Sequence, residues 1–94
     1  MAVKESAIER ELYDRVLLRG GICVKVQALG QRGFFDRIII LPPGPRIIFA
    51  EIKRPRGGRL SIHQQRYVEL FRRLGVAEVY IVKNSTDIDA LLKT

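Results

Sequence analysis

Ninety-four residues, 47% hydrophobic and 29% charged, have the size and balance of one soluble globular domain with a modest core. Seventeen Lys and Arg against ten Asp and Glu leave a net charge of +7 and a pI near 10.2, which favours a polyanionic partner, most often nucleic acid, while three Tyr, four Phe and no Trp leave little aromatic surface for stacking bases. The lone Cys23 excludes an internal disulfide, and no signal peptide or apolar run of spanning length is seen, so the expected setting is a reducing cytoplasm without a membrane partner.

In chain order, residues from about Glu5 to Arg19 predict an amphipathic helix, with Ile8, Leu12, Val16 and Leu17 as its apolar stripe and Gly20-Gly21 as its stop. Ile22 to Gln27 predicts a short strand in which Cys23 is a buried thiol. Ala28 to Phe34, with Gly30, Gln31, Arg32 and Gly33, reads as a flexible loop. Phe35 to Lys53 is a hairpin: two β-branched runs flank Pro42-Pro43-Gly44-Pro45, and both strands are apolar on both faces, so the sheet should be covered on both sides. Arg54-Pro55-Arg56-Gly57-Gly58-Arg59 is a basic loop. Ser61 to Leu74 is a second helix closed by Gly75, with Tyr67, Leu70, Phe71 and Leu74 facing inward. Glu78 to Lys83 is a fourth strand, and a last helix from Ser85 or Thr86 to Lys93 turns Ile88, Leu91 and Leu92 inward. The order is α-β-β-β-α-β-α: an α/β domain over residues 1–94, a mixed sheet flanked by helices, with the two strands around the second helix parallel.

The hairpin carries the chemistry. If it pairs symmetrically about its turn, Leu41 opposes Arg46 and Asp36 opposes Glu51. Side chains alternate along a strand, so Lys53 shares a face with Glu51. Two carboxylates and an ammonium then converge at one end of an apolar hairpin, where charges need pairing or a metal. Hydrolysis of a phosphodiester needs charge stabilisation at the phosphate and an activated water. Asp36 and Glu51, with the backbone carbonyl of Ile52, supply oxygen ligands for Mg²⁺, and Lys53 a group to orient or deprotonate the water.

The sequence resembles the VRR-NUC domains, the small stand-alone phage and bacterial type, within the PD-(D/E)XK nuclease superfamily. The resemblance rests on Glu5-x-x-Ile8-Glu9, Gly20-Gly21, Gly33-Phe34-Phe35-Asp36-Arg37, Phe49-Ala50-Glu51-Ile52-Lys53 and Leu60-Ser61-x-x-Gln64, in that order. Phe35 stands where the family usually has Pro before the Asp. The resemblance implies a restriction-endonuclease-like core and a Mg²⁺- or Mn²⁺-dependent DNA endonuclease. Asp36 and Glu51 match its metal carboxylates, Lys53 its catalytic lysine, Glu5 or Glu9 its first-helix acid, and Gln64 its second-helix glutamine. Stand-alone members are expected to be homodimers that cut branched DNA such as four-way (Holliday) junctions; larger eukaryotic relatives carry the domain in DNA-repair nucleases.

Each of these residues also has a plainer reading. Asp36 and Glu51 could be a cross-strand pair bridged by Lys53. Ser6-x-x-Glu9 and Ser61-x-x-Gln64 both have the form of a capping box, Glu5 suits a helix's first turn, and Gln65 stands as the fallback for Gln64. His63, the single histidine, reads as an exposed first-turn residue and gives zinc no support. Arg54, Arg56, Arg59 and Arg66, with Arg32 from the preceding loop, read as phosphate contacts that give affinity without sequence specificity. Besides a nuclease, the charge is compatible with a non-catalytic basic nucleic-acid-binding module or a partner-dependent nuclease subunit.

Overall fold

A computed structural model describes residues 5–27, 33–75 and 78–93. The order is α1 (Glu5–Leu18), β1 (Ile22–Lys25), β2 (Arg37–Leu41), β3 (Arg46–Ile52), α2 (Ile62–Leu74), β4 (Glu78–Val82) and α3 (Ser85–Leu92), the α-β-β-β-α-β-α order expected. The four strands form one sheet in the order β1-β2-β3-β4. The hairpin register is the symmetric one, with Leu41 opposite Arg46 and Arg37 opposite Ala50; β1 adds antiparallel to β2, and β4 adds parallel to β3. The sheet is therefore mixed, as an intervening helix between parallel strands requires.

Strand alternation sorts the side chains into two layers. Cys23, Ile39, Leu41, Ile48, Ala50, Ile52 and Val82 face one way and join Ile8, Leu12 and Val16 of α1 and Ile88, Leu91 and Leu92 of α3 in the buried core. Phe49 faces the other way, where rings from β3, α2 and the loop before β2 meet. Phe34, Phe35, Phe49, Tyr67 and Phe71 interlock there, with the Phe49–Phe71 centroids 4.9 Å apart and Phe34–Tyr67 5.3 Å apart. Edge-to-face contacts of this kind add to the area that the rings bury. No helix among the described residues is long and apolar enough to cross a membrane.

Four expectations need correction. The first strand ends at Lys25 rather than Gln27. Leu17 is 46% exposed, because the buried ridge of α1 is Ile8, Leu12, Val16, each four residues apart, and Leu17 lies off it. On α2 the buried residue is Val68, while Leu74 is 59% exposed. The inward face of that helix centres on Tyr67, Val68 and Phe71, and Leu74 sits on the last turn beside its Gly75 cap. Lastly, the sheet is not covered on both sides throughout. Ile22, Val24 and Ile47, on the α2 side, are each about half exposed, because α2 packs on β4 and on Phe49 of β3 and leaves β1 and the turn end of β3 open.

Candidate active site

The hairpin brings Asp36 and Glu51 together at the end of the sheet far from the Pro-rich turn. Asp36 lies one residue before β2: its N–H donates to the carbonyl of Ala50 (3.1 Å), the residue that opposes Arg37, and its carbonyl accepts from the Val26 N–H (3.0 Å). Its carboxylate Oδ2 accepts the Ile52 N–H at 2.8 Å. The backbone on either side thus holds this residue, and β3 holds its carboxylate. Ile52 supplies that N–H while its own side chain is buried in the core on the opposite face.

Glu51 is only 1% exposed and is the one charged or polar residue among the buried ones described. Burial pushes its carboxyl up to about 9; a hydrogen bond and the charge of Asp36 push the same way, Lys53 pulls it down, and Glu5 adds a further upward push. Removal from water penalises the ionised form, and an adjacent carboxylate penalises it again. No buried side-chain polar atom among the described residues lacks a hydrogen-bond partner, and the Glu51 carboxyl is hydrogen-bonded to Asp36. Lys53, half-buried, stands two residues on and on the same face, and its N–H donates to the Val82 carbonyl (2.9 Å), which anchors it to β4.

Two glycines shape the surroundings. A Cβ on Gly33, whose φ is +80°, would lie 2.6 Å from His63 Cβ and 2.8 Å from the Gln64 nitrogen. The segment leading into Asp36 is therefore pressed against the first turn of α2. His63 is partly buried under this contact rather than exposed as expected. Around Lys53, a Cβ on Gly58 would stand 2.4 Å from the Arg54 carbonyl oxygen and 3.1 Å from Lys53 Cβ, so the basic loop folds tightly back over the lysine. Arg54, Arg56 and Arg59 on that loop, and Arg66 on α2, are exposed. Arg32 lies outside the described residues, as does most of the loop read as flexible.

The helix acids separate. Glu9 Oε2 accepts from Arg37 Nε at 2.7 Å, and Ser6 lies inside α1 rather than at a cap, so the capping-box reading of Ser6 and Glu9 does not hold. Glu5, one turn earlier, is the α1 acid whose charge bears on Glu51. The Ser61–Gln64 capping box is present in both directions: Gln64 N–H donates to Ser61 Oγ (3.1 Å) and Gln64 Oε1 accepts from the Ser61 N–H (2.8 Å). Gln65 is exposed, its amide donating to the Leu60 carbonyl. Cys23 is buried, as expected, with its thiol pushed up by that burial. Arg37 was missed by sequence reading; the available signal was an arginine inside an apolar strand, one residue after Asp36 and so on the opposite face.

The carboxyl groups in contact here are a pair, Asp36 and Glu51; no group of three or more His, Cys, Asp or Glu side chains able to hold a metal occurs among the described residues. Such a pair suits a hard ion that keeps water and takes substrate phosphate, as Mg²⁺ does, and does not suit structural zinc.

No family model matches the sequence. The chain is 37% identical over 90 residues to "Putative nuclease p44" of Acyrthosiphon pisum secondary endosymbiont phage 1, covering 96% of this chain and 92% of that one. It also superposes on a solved structure described as "VRR_NUC domain" with a TM-score of 0.85 at 33% identity, covering 97% of this chain and 96% of the other.

Proposed function

The chain belongs to the VRR-NUC family of nucleases, and from that premise we propose that it is a Mg²⁺-dependent endodeoxyribonuclease, with Mn²⁺ able to substitute, acting on branched DNA such as four-way junctions. The observation that carries the proposal is the Asp36–Glu51 pair: a carboxyl that is 1% exposed, facing a second carboxylate beside a lysine, is costly to ionise without a cation. Asp36 and Glu51 would hold the ion, with the Ile52 carbonyl as third oxygen. When bound, a divalent ion of this kind neutralises phosphate charge and makes a bound water more acidic.

The remaining work falls to the chain's own groups. Lys53 Nζ, on the same face as Glu51, orients the attacking water and stabilises negative charge on the phosphate. The exposed Arg54, Arg56 and Arg59, on the loop whose Gly58 packs on Lys53, and Arg66 on α2 contact phosphates along the backbone. Gln64 holds the start of α2 beside the segment that leads into Asp36. A homodimer belongs to this reading: two copies would present two sites to a junction, and the half-exposed Ile22, Val24 and Ile47 offer apolar surface for a second copy to cover. The compartment it implies is the cytoplasm of a bacterial or phage-infected cell.

The test is cleavage of linear, flapped and four-way-junction DNA with Mg²⁺, with chelator and Lys53→Ala controls, alongside sedimentation of the protein alone and on a junction. Junction cleavage lost in both controls supports the proposal. Binding without cleavage under Mg²⁺ or Mn²⁺ refutes it in favour of a basic binding module or a partner-dependent subunit, and a monomer on the junction removes the dimer.

A further inference from the structure

We propose that the Glu9–Arg37 ion pair is a positioning device that sets the first turn of α1, and with it Glu5, against the Asp36–Glu51 pair, and that Glu9 and Arg37 are positioning residues rather than metal ligands. This rests on the metal-site reading above.

The geometry is that of a brace. Arg37 follows Asp36 directly, so alternation turns it to the opposite face of the sheet, the face on which α1 lies. Its guanidinium reaches two other elements, α1 and β1. Nε donates to Glu9 Oε2 at 2.7 Å, and the two side chains are only 14% and 24% exposed. Nη1 donates to the Cys23 carbonyl on β1 at 3.2 Å. The group also lies 5.7 Å from the centre of the Tyr13 ring. Glu9 and Tyr13 stand four residues apart on α1, so one guanidinium grips a single ridge of the helix. Glu5 is the next residue up that ridge, four before Glu9.

The apolar stripe anchors this end of the helix through Ile8 alone. Ile8, Leu12 and Val16 lie on the adjoining ridge, and Ile8 is the only buried residue in the first six positions of α1. Beside the ion pair, Ser6, Glu9, Arg10, Tyr13 and Arg37 line an open cleft of about 300 Å³ rather than a packed seam. Arg37 is therefore the second anchor of this end of α1, and the one on the ridge that carries Glu5. A shielded, charge-assisted bond of this kind is stronger than an exposed ion pair.

The experiment is calorimetric titration of the whole chain with Mn²⁺ at fixed pH, with thermal unfolding to verify folding. Glu9→Gln and Arg37→Met should each weaken Mn²⁺ binding, by about 10- to 100-fold, the size seen when partners of metal ligands are removed. In a Glu5→Gln background the same changes should have little further effect, because they act through Glu5. Should Arg37→Met fail to fold, the near-isosteric Glu9→Gln carries the test. Unchanged affinity in Glu9→Gln overturns the proposal. An equal loss with Glu5 already removed also overturns it, since Glu9 would then act on the metal directly. If the unaltered protein binds no Mn²⁺, the metal reading falls and the brace with it; if it binds and Glu9→Gln matches it, only the brace falls.

Discussion

Glu51 holds a proton at neutral pH in the metal-free protein, and a divalent ion must displace it. Its carboxyl is pushed up to about 9, chiefly by burial and then by Asp36. At pH 7, two pH units lower, removing that proton costs about 3 kcal/mol, about a hundredfold in apparent affinity. Mn²⁺ affinity should therefore rise about tenfold per pH unit from pH 6 to pH 8 and level off above about 9. Calorimetry in two buffers of different ionisation enthalpy should count close to one proton released per ion bound at pH 7. The same proton fixes the sign of a stability trend. The folded value lies above the ordinary 4.5, so between the two the native state binds a proton that the unfolded chain has lost. The stability due to this group is fully present below about 4.5 and falls as pH rises toward about 9, by up to about 1.4 kcal/mol per pH unit. Glu51→Gln should flatten that slope, and saturating Mn²⁺ should oppose it in the unaltered protein. An affinity flat from pH 6 to pH 8, with no proton released, would refute the reasoning.

Three further outcomes follow from packing and charge. Phe35, 2% exposed and 5.0 Å from Phe71 between ring centres, should cost roughly 3–5 kcal/mol when changed to Ala, read by urea unfolding; a loss below 1 kcal/mol would show that the ring cluster carries little of the fold. Gly33→Ala meets His63 and Gln64 at a positive φ and should destabilise by about 1–3 kcal/mol, and wild-type stability there would mean that the loop and the start of α2 separate freely. Replacing Arg54, Arg56 and Arg59 by Ala should lower the salt dependence of junction binding by about one in log–log slope for each phosphate no longer neutralised, while leaving Mn²⁺ affinity intact; an unchanged slope would mark them as solvated charges.

Much of the site was legible because its placement depends on local rules. The Pro42–Pro45 turn and two β-branched runs determine a register, and a period of two then carries Asp36, Glu51 and Lys53 to one end and one face. The same rules put Arg37 on the opposite face but say nothing of what it meets there, since Glu9 is 28 residues away in sequence. That distant partner is why the local pattern Ser6-x-x-Glu9 misled, whereas Ser61-x-x-Gln64, with no such competitor, formed its box in full. Helix phase was legible on α1, where Ile8, Leu12 and Val16 repeat every four residues and only Leu17 was wrongly added, and was misjudged on α2, where apolar residues at 67, 68, 70, 71 and 74 allow more than one inward face. Coverage of the sheet was misjudged for a related reason. Strands apolar on both faces call for burial, but the sequence does not say how far one thirteen-residue helix extends, and the open side of β1 and of the turn end of β3 follows from where the rings of Phe34, Phe49, Tyr67 and Phe71 pin α2. Those rings also fix the segment that ends at Asp36. The packing that leaves part of the sheet bare is thus the packing that holds the carboxylate pair, and a change that moved α2 to cover Ile22 and Val24 would do so at the expense of the site.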